Sequence, residues 1–146
     1  MMTDQTAYPT PDPTAEDTSP ADSADVIVAD DDETQRREIV EFLDRLNVTS
    51  VEAGDGATVR ELYLRHRPKL VLMDINMPRM DGLEASRWMR GQNGGPKIVL
   101  MSGYMDRVRE ANEREDMGFV VIEKPVPLRT LGLFVRSVIK DQDAQP

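Results

Sequence analysis

Apolar residues fall along this chain in two rhythms. Val26-Ile27-Val28-Ala29, Leu70-Val71-Leu72-Met73, Ile98-Val99-Leu100-Met101 and Phe119-Val120-Val121-Ile122 are unbroken apolar runs. Runs this short, with β-branched residues in them, predict strands, and those at Leu70 and Ile98 read as buried on both faces of a parallel sheet. Val48 to Ala53 is more polar and predicts a strand nearer an edge. Between the runs the spacing becomes helical. Ile39, Leu43 and Leu46 form one stripe, with Val40 and Phe42 beside it. Val59, Leu62, Tyr63 and His66 form a second stripe, over about 57–67. A third helix is predicted over about 83–90. A thin stripe of Met105, Val108 and Ala111 runs through the charged stretch 104–116, and Leu128, Leu131, Phe134, Val135 and Val138 mark the last helix.

Punctuation agrees with these periods. Thr34 or Asp32 is placed to cap the first helix and Asn47 to stop it. Gly54-Asp55-Gly56 reads as a loop, Pro68 closes the second helix, and Gly91 to Pro96 ends the third. Five strands alternating with five helices predict an α/β fold: a doubly wound, five-stranded parallel sheet with right-handed crossovers.

Chemistry sits where the strands stop. The third run leads straight into Asp74, and then Ile75-Asn76-Met77-Pro78-Arg79-Met80-Asp81-Gly82. Pro78 forbids a helix through this loop, and Asp81 is better placed than Asp74 to cap the next one. Asp30-Asp31 comes after the first strand, Ser102 ends the fourth, and Lys124 ends the fifth. Strand carboxyl ends share one edge of a parallel sheet, where open α/β folds keep their reactive groups. Three carboxylates, a hydroxyl and an ammonium therefore converge. Crowded carboxylates repel unless a cation sits among them. Hard oxygen ligands suit Mg²⁺, while the lysine and hydroxyl suit an anion. The set describes a place to attach a phosphoryl group to Asp74.

Each group alone has an ordinary explanation. Asp30 to Glu33 is also a capping cluster at a helix start, Ser102 a turn residue, and Lys124 a solvated strand end. Their joint placement at the correct strand ends favours the site.

Composition narrows the function. The 146 residues contain no cysteine, so there is no disulfide, thiol nucleophile or thiolate metal site. One histidine, His66, is too few for most histidine-based catalysis, and its place on an apolar stripe favours a structural role. Trp88 and the nine methionines suit core or protein contacts. No P-loop or dinucleotide fingerprint is present. Residues 1–25 carry six acids and no Lys or Arg. The remaining 21 acids and 18 bases give residues 26–146 a net charge of −3, against −9 for the chain. Such a balance argues against nucleic-acid binding. No apolar run nears the roughly 20 residues needed to span a membrane. Without a signal-peptide pattern, a cytoplasmic home is the default.

Residues 1–24, rich in Pro, Thr, Ser and Asp, read as a flexible acidic tail. Residues 25–141 are expected to form the domain and 142–146 a short terminal tail, and no DNA-binding output domain is expected.

The ordered motifs Val28-Ala29-Asp30-Asp31-Asp32, Met73-Asp74 through Asp81-Gly82, Met101-Ser102-Gly103 and Glu123-Lys124-Pro125 are those of a known family. Over about residues 25–141 the chain resembles a response-regulator receiver domain, the CheY-like phosphoacceptor module of two-component signalling. The resemblance implies the strand order 2-1-3-4-5. It implies that Asp74 is the phosphoacceptor. It implies Mg²⁺ (or Mn²⁺) held by Asp31, Asp74 and the backbone carbonyl of Asn76, with Asp30 acting through water. Ser102 takes the place of the switch hydroxyl, Lys124 that of the phosphate-contacting lysine, and Pro125 that of the proline after it, often in a cis peptide. The implied donor is a histidine kinase or histidine phosphotransfer protein. The implied output is a protein partner on the face of the fourth helix, fifth strand and fifth helix.

Two positions depart from the pattern. The family commonly has Tyr or Phe three residues before the lysine, where this chain has Val121. Either a strand irregularity brings Phe119 into play or the aromatic half of the switch is missing. Tyr104, two residues after Ser102, is bulky beside the site and is expected to slow loss of the phosphoryl group. The expected protein is a switch and not an enzyme. A phosphorylation-independent adaptor is the alternative that Val121 keeps open. A phosphohydrolase with an Asp nucleophile is disfavoured because Asn76 stands where such enzymes place a second acid.

Overall fold

A computed structural model of the chain describes residues 23–92, 95–112 and 120–143. Its strands are β1 (Val26–Ala29), β2 (Ser50–Ala53), β3 (Leu70–Asp74), β4 (Lys97–Ser102) and β5 (Val120–Glu123). They form one sheet in the order β2-β1-β3-β4-β5, with every neighbouring pair parallel. The helices are α1 (Glu33–Arg45), α2 (Gly56–His66), α3 (Gly82–Arg90), α4 (Met105–Asn112) and α5 (Leu128–Asp143). This is the doubly wound sheet that the apolar runs predict, in the strand order that the resemblance implies.

Side chains alternate across a strand, so each apolar run supplies both faces. Ile27, Ala29, Val71, Met73, Ile98 and Leu100 face one core with Val59, Tyr63, Leu83 and Met89. Val26, Val28, Leu70, Leu72, Val99 and Met101 face the other with Ile39, Leu43, Leu131 and Val135. Each large buried side chain contributes roughly 1.5–3 kcal/mol, so the two cores fix the central strands firmly. Parallel pairing sets Ala29 beside Met73, Asp74 beside Met101, and Ser102 beside Glu123. The strand ends are therefore level, and the residues just beyond them line one edge of the sheet.

The Asp81 cap is found where the sequence expects it, and other helix ends are sharpened or differ. Asp32, not Thr34, caps α1, its carboxylate accepting the Gln35 N–H at 3.1 Å. Asp55 is more than a loop residue: it caps α2 by accepting the Thr58 N–H at 2.8 Å. Arg67 closes that helix in the left-handed region at φ 46°. Asp81 caps α3 in a closed capping box with Glu84, and Gly82 is the first helical residue. A Cβ on Gly82 would lie 2.5 Å from the Asp74 carbonyl oxygen, so only glycine lets α3 start against the end of β3.

Both ends of the domain are tied to its elements. Ala24 is buried and donates its N–H to His66 Nδ1 at 3.2 Å, which gives His66 a structural contact. The last helix continues through Asp143, two residues beyond 141. The expected continuation of α4 over 113–116 and the side chain of Phe119 lie outside the described residues. Trp88 packs against the first core, edge-to-face on Tyr63 with ring centroids 5.7 Å apart. Among the described residues no helix is long and apolar enough to cross a membrane.

Candidate functional site

Asp30 lies just past β1 and is fully buried; Asp74 ends β3 and is nearly so. A buried carboxylate needs partners, and both have them. Asp30 accepts the Asp32 N–H at 2.9 Å on Oδ1 and the Lys124 ammonium at 2.9 Å on Oδ2. Asp74 accepts the Asn76 N–H at 3.1 Å on Oδ1 and the same ammonium at 3.3 Å on Oδ2. The third hydrogen-bond partner of Lys124 is the side-chain oxygen of Gln35, at 2.6 Å. Lys124 is the first residue after β5 and precedes a cis peptide bond to Pro125.

Asp31 is exposed at the mouth of this cluster. One oxygen from each of Asp30, Asp31 and Asp74 lies within 4.8 Å of the others. The cleft they share holds about 620 Å³ and is also lined by Asp32, Gln35, Asn76, Tyr104 and Lys124. Carboxylate oxygens are acceptors only, so the arrangement suits a hard cation with room for its waters.

Burial sets the electrostatics. Loss of water pushes the Asp74 carboxyl up to about 6. The charge of Asp30 adds to the rise, while the Asn76 N–H and Lys124 oppose it. For Lys124, burial alone would lower the pKa. Its bond to Asp30 and the nearby charge of Asp74 outweigh that, so the ammonium is held above its ordinary value.

Ser102 closes the set indirectly. Its hydroxyl is buried, lies 3.3 Å from Asn76 Oδ1, and accepts the Tyr104 N–H at 3.0 Å. The Lys124 N–H donates to the Ser102 carbonyl at 2.8 Å, which ties the two strand ends together. Tyr104 is 65% exposed, although it lines the cleft. Val121 is half-buried against the first core.

The edge thus brings Asp30, Asp31, Asp74 and Lys124 together directly, and Ser102 through Asn76. Two contributors were missed in the sequence. Gln35 reaches Lys124 from α1; its signal was a Gln three residues after the cap Asp32. Arg107 reaches from α4 to Asp81 at 2.9 Å, closing a second hollow beside Asp31 and Asn76. A helix this charged gave no means of telling which arginine would turn inward.

A phosphoacceptor-like carboxylate, two further acids and a lysine on the carboxyl edge of a 2-1-3-4-5 sheet define a receiver-type α/β protein. Residues 26–136 match the family model of the response regulator receiver domain, and the chain belongs to that family. It is 34% identical over 108 residues to the transcriptional regulatory protein PdtaR of Mycobacterium tuberculosis, covering 73% of this chain and 52% of that one. It is 34% identical over 114 residues to the autoinducer 1 sensor kinase/phosphatase LuxN of Vibrio campbellii, covering 75% and 13%. The chain therefore spans only part of the curated relatives it matches. Among solved structures it resembles the REC domain of AraT, a response regulator from Geobacillus stearothermophilus. That match has a TM-score of 0.71 and 30% identity, covering 82% of this chain and 95% of the other.

Proposed function

We propose that this receiver domain accepts a phosphoryl group on Asp74 and signals through a protein-binding face that the new charge biases. The donor is the phosphohistidine of a histidine kinase or histidine phosphotransfer protein. An Asp74 oxygen attacks phosphorus, the O–P bond forms as the N–P bond breaks, and the imidazole leaves with the electron pair. One observation carries this reading: a single ammonium bonds Asp30 and Asp74 at once, beside a third carboxylate. That leaves a pocket of acceptor oxygens with the Lys124 ammonium among them.

The oxygen-only donor set fits Mg²⁺ or Mn²⁺, which Asp31, Asp74 and the Asn76 carbonyl would hold, with Asp30 acting through water. When bound, the metal offsets charge on the phosphoryl oxygens. Lys124 supplies a donor to the same oxygens. Ser102 keeps its hydroxyl buried until a phosphoryl oxygen offers a stronger acceptor than Asn76. Tyr104 limits water at the cleft mouth and so slows hydrolysis. The output face is that of α4, β5 and α5, where Val120 is exposed. This is a switch with self-loading and self-clearing chemistry, not an enzyme acting on other substrates.

The half-buried Val121, in place of an aromatic ring, favours a second reading: an adaptor that keeps the fold without the switch. Intact-mass measurement after acetyl phosphate and Mg²⁺ separates the two. The switch gains one phosphoryl group, Asp74→Asn gains none, and EDTA stops loading. An unchanged mass in the native chain supports the adaptor. Timed in the same way, Tyr104→Ala should lose the group several-fold faster; an unchanged decay would mean that Tyr104 does not restrain hydrolysis.

A further inference from the structure

We infer that Gln35 is a positioning residue for the Lys124 ammonium, which rests on the reading of Asp74 as phosphoacceptor. The inference starts from a local pattern that does not close. Asp32 caps α1, and Gln35 stands three residues on, the spacing of a capping box. In such a box the Gln side chain turns back to the N–H of the cap residue. The first half forms here, with the Asp32 carboxylate accepting the Gln35 N–H at 3.1 Å. The second half does not. The Asp32 N–H donates to Asp30 Oδ1 instead, at 2.9 Å. That releases the Gln35 side chain, and its oxygen accepts from Lys124 Nζ at 2.6 Å. The contrast lies in the same molecule: at α3 the Asp81–Glu84 box closes on both sides.

A lysine ammonium has three N–H donors in all. Lys124 places them on Gln35 at 2.6 Å, Asp30 at 2.9 Å and Asp74 at 3.3 Å. Two short bonds anchor the group, and the longest points at the acceptor. Asp30 is fixed by β1 and Gln35 by the first turn of α1, so the anchors come from both sides of the β1–α1 junction. The third donor is then aimed at Asp74, where an incoming phosphoryl oxygen takes it over. Without Gln35 the ammonium keeps one short anchor, Asp30, beside the longer bond to Asp74, and must be ordered during the transfer, which costs rate.

The test uses Gln35→Met, which keeps the length of the side chain and removes the acceptor oxygen, and Gln35→Glu, which restores one. Gln35 is exposed and the Asp32 cap uses only its backbone N–H, so both variants should stay folded, with a cooperative urea transition close to the native midpoint. In nitrogen-labelled protein the proton–nitrogen NMR signal of the Lys124 ammonium should be sharp in the native chain. It should broaden into solvent exchange in Gln35→Met and return in Gln35→Glu. Loading from acetyl phosphate should slow roughly three- to tenfold in Gln35→Met, the loss expected for one hydrogen bond. An ammonium signal unmoved by Gln35→Met overturns the inference, whatever the loading rate. A moved signal with unchanged loading also overturns it. A moved signal in a protein whose native form does not load at all keeps the anchor and removes the phosphoacceptor reading.

Discussion

Asp74 is a carboxyl group held where water is scarce, and its resting charge is a burden on the fold. Its pKa of about 6 in the folded chain lies above the roughly 3.9 of an unfolded aspartate. Between those values the folded state holds a proton that the unfolded state releases. The group's contribution to stability is therefore complete below about pH 4 and is lost as pH rises through about 6. Asp74→Asn removes the charge and keeps an oxygen for Lys124. With metal chelated, urea unfolding should find this variant more stable by roughly 2–3 kcal/mol at pH 7.5, from two pKa units at about 1.4 kcal/mol each. The gain should shrink below pH 6 and vanish near pH 4. A gain independent of pH would mean that the substitution acts through packing and not through charge.

At the scale of elements, the connection between β3 and α3 decides where Asp74 points. The Gly82 N–H donates to the Ile75 carbonyl at 2.7 Å, and the Asp81 box fixes the first turn. Gly82→Ala puts a methyl carbon 2.5 Å from the Asp74 carbonyl oxygen and 2.8 Å from Ile75 Cα. Neither atom can yield, because both belong to the backbone at the end of the central strand. The expected cost is about 1–3 kcal/mol in urea unfolding, with a loss of phosphoryl loading larger than stability alone explains. Normal loading in a folded Gly82→Ala protein would show that α3 can step back without moving Asp74. Arg79 and Arg107 hold the same connection from outside, pairing with Asp55 at 2.7 Å and Asp81 at 2.9 Å.

For the molecule as a whole, the central strands β1, β3 and β4 were legible because their burial is written into runs of consecutive apolar residues. Leu70 to Met73 is buried at every position, as a strand covered on two sides must be. Strand ends were legible for the same reason: the runs break at Asp74, at Ser102 and at Glu123, one residue before Lys124. What the sequence hid depends on distances between elements. The first helix looked ordinary at Gln35, since nothing local says that the Asp32 N–H is already taken by Asp30. Gly82 read only as the end of a loop, because its role is the nearness of the end of β3. Asp55 looked like part of a glycine loop, although the N–H it caps is only three residues away. Long, flexible Arg107 is one of eight charged residues between 104 and 116, with no pattern to single it out.

Lys124 meets Asp30 across 94 positions of chain. During synthesis from the amino end, both acids of the pair are made long before their counter-ion. A nascent chain that has β1 and β3 but not β5 carries both acids before the Lys124 ammonium that bonds them exists. Docking of the final strand supplies that missing positive charge, so completing the sheet and quieting the acid pair are one event.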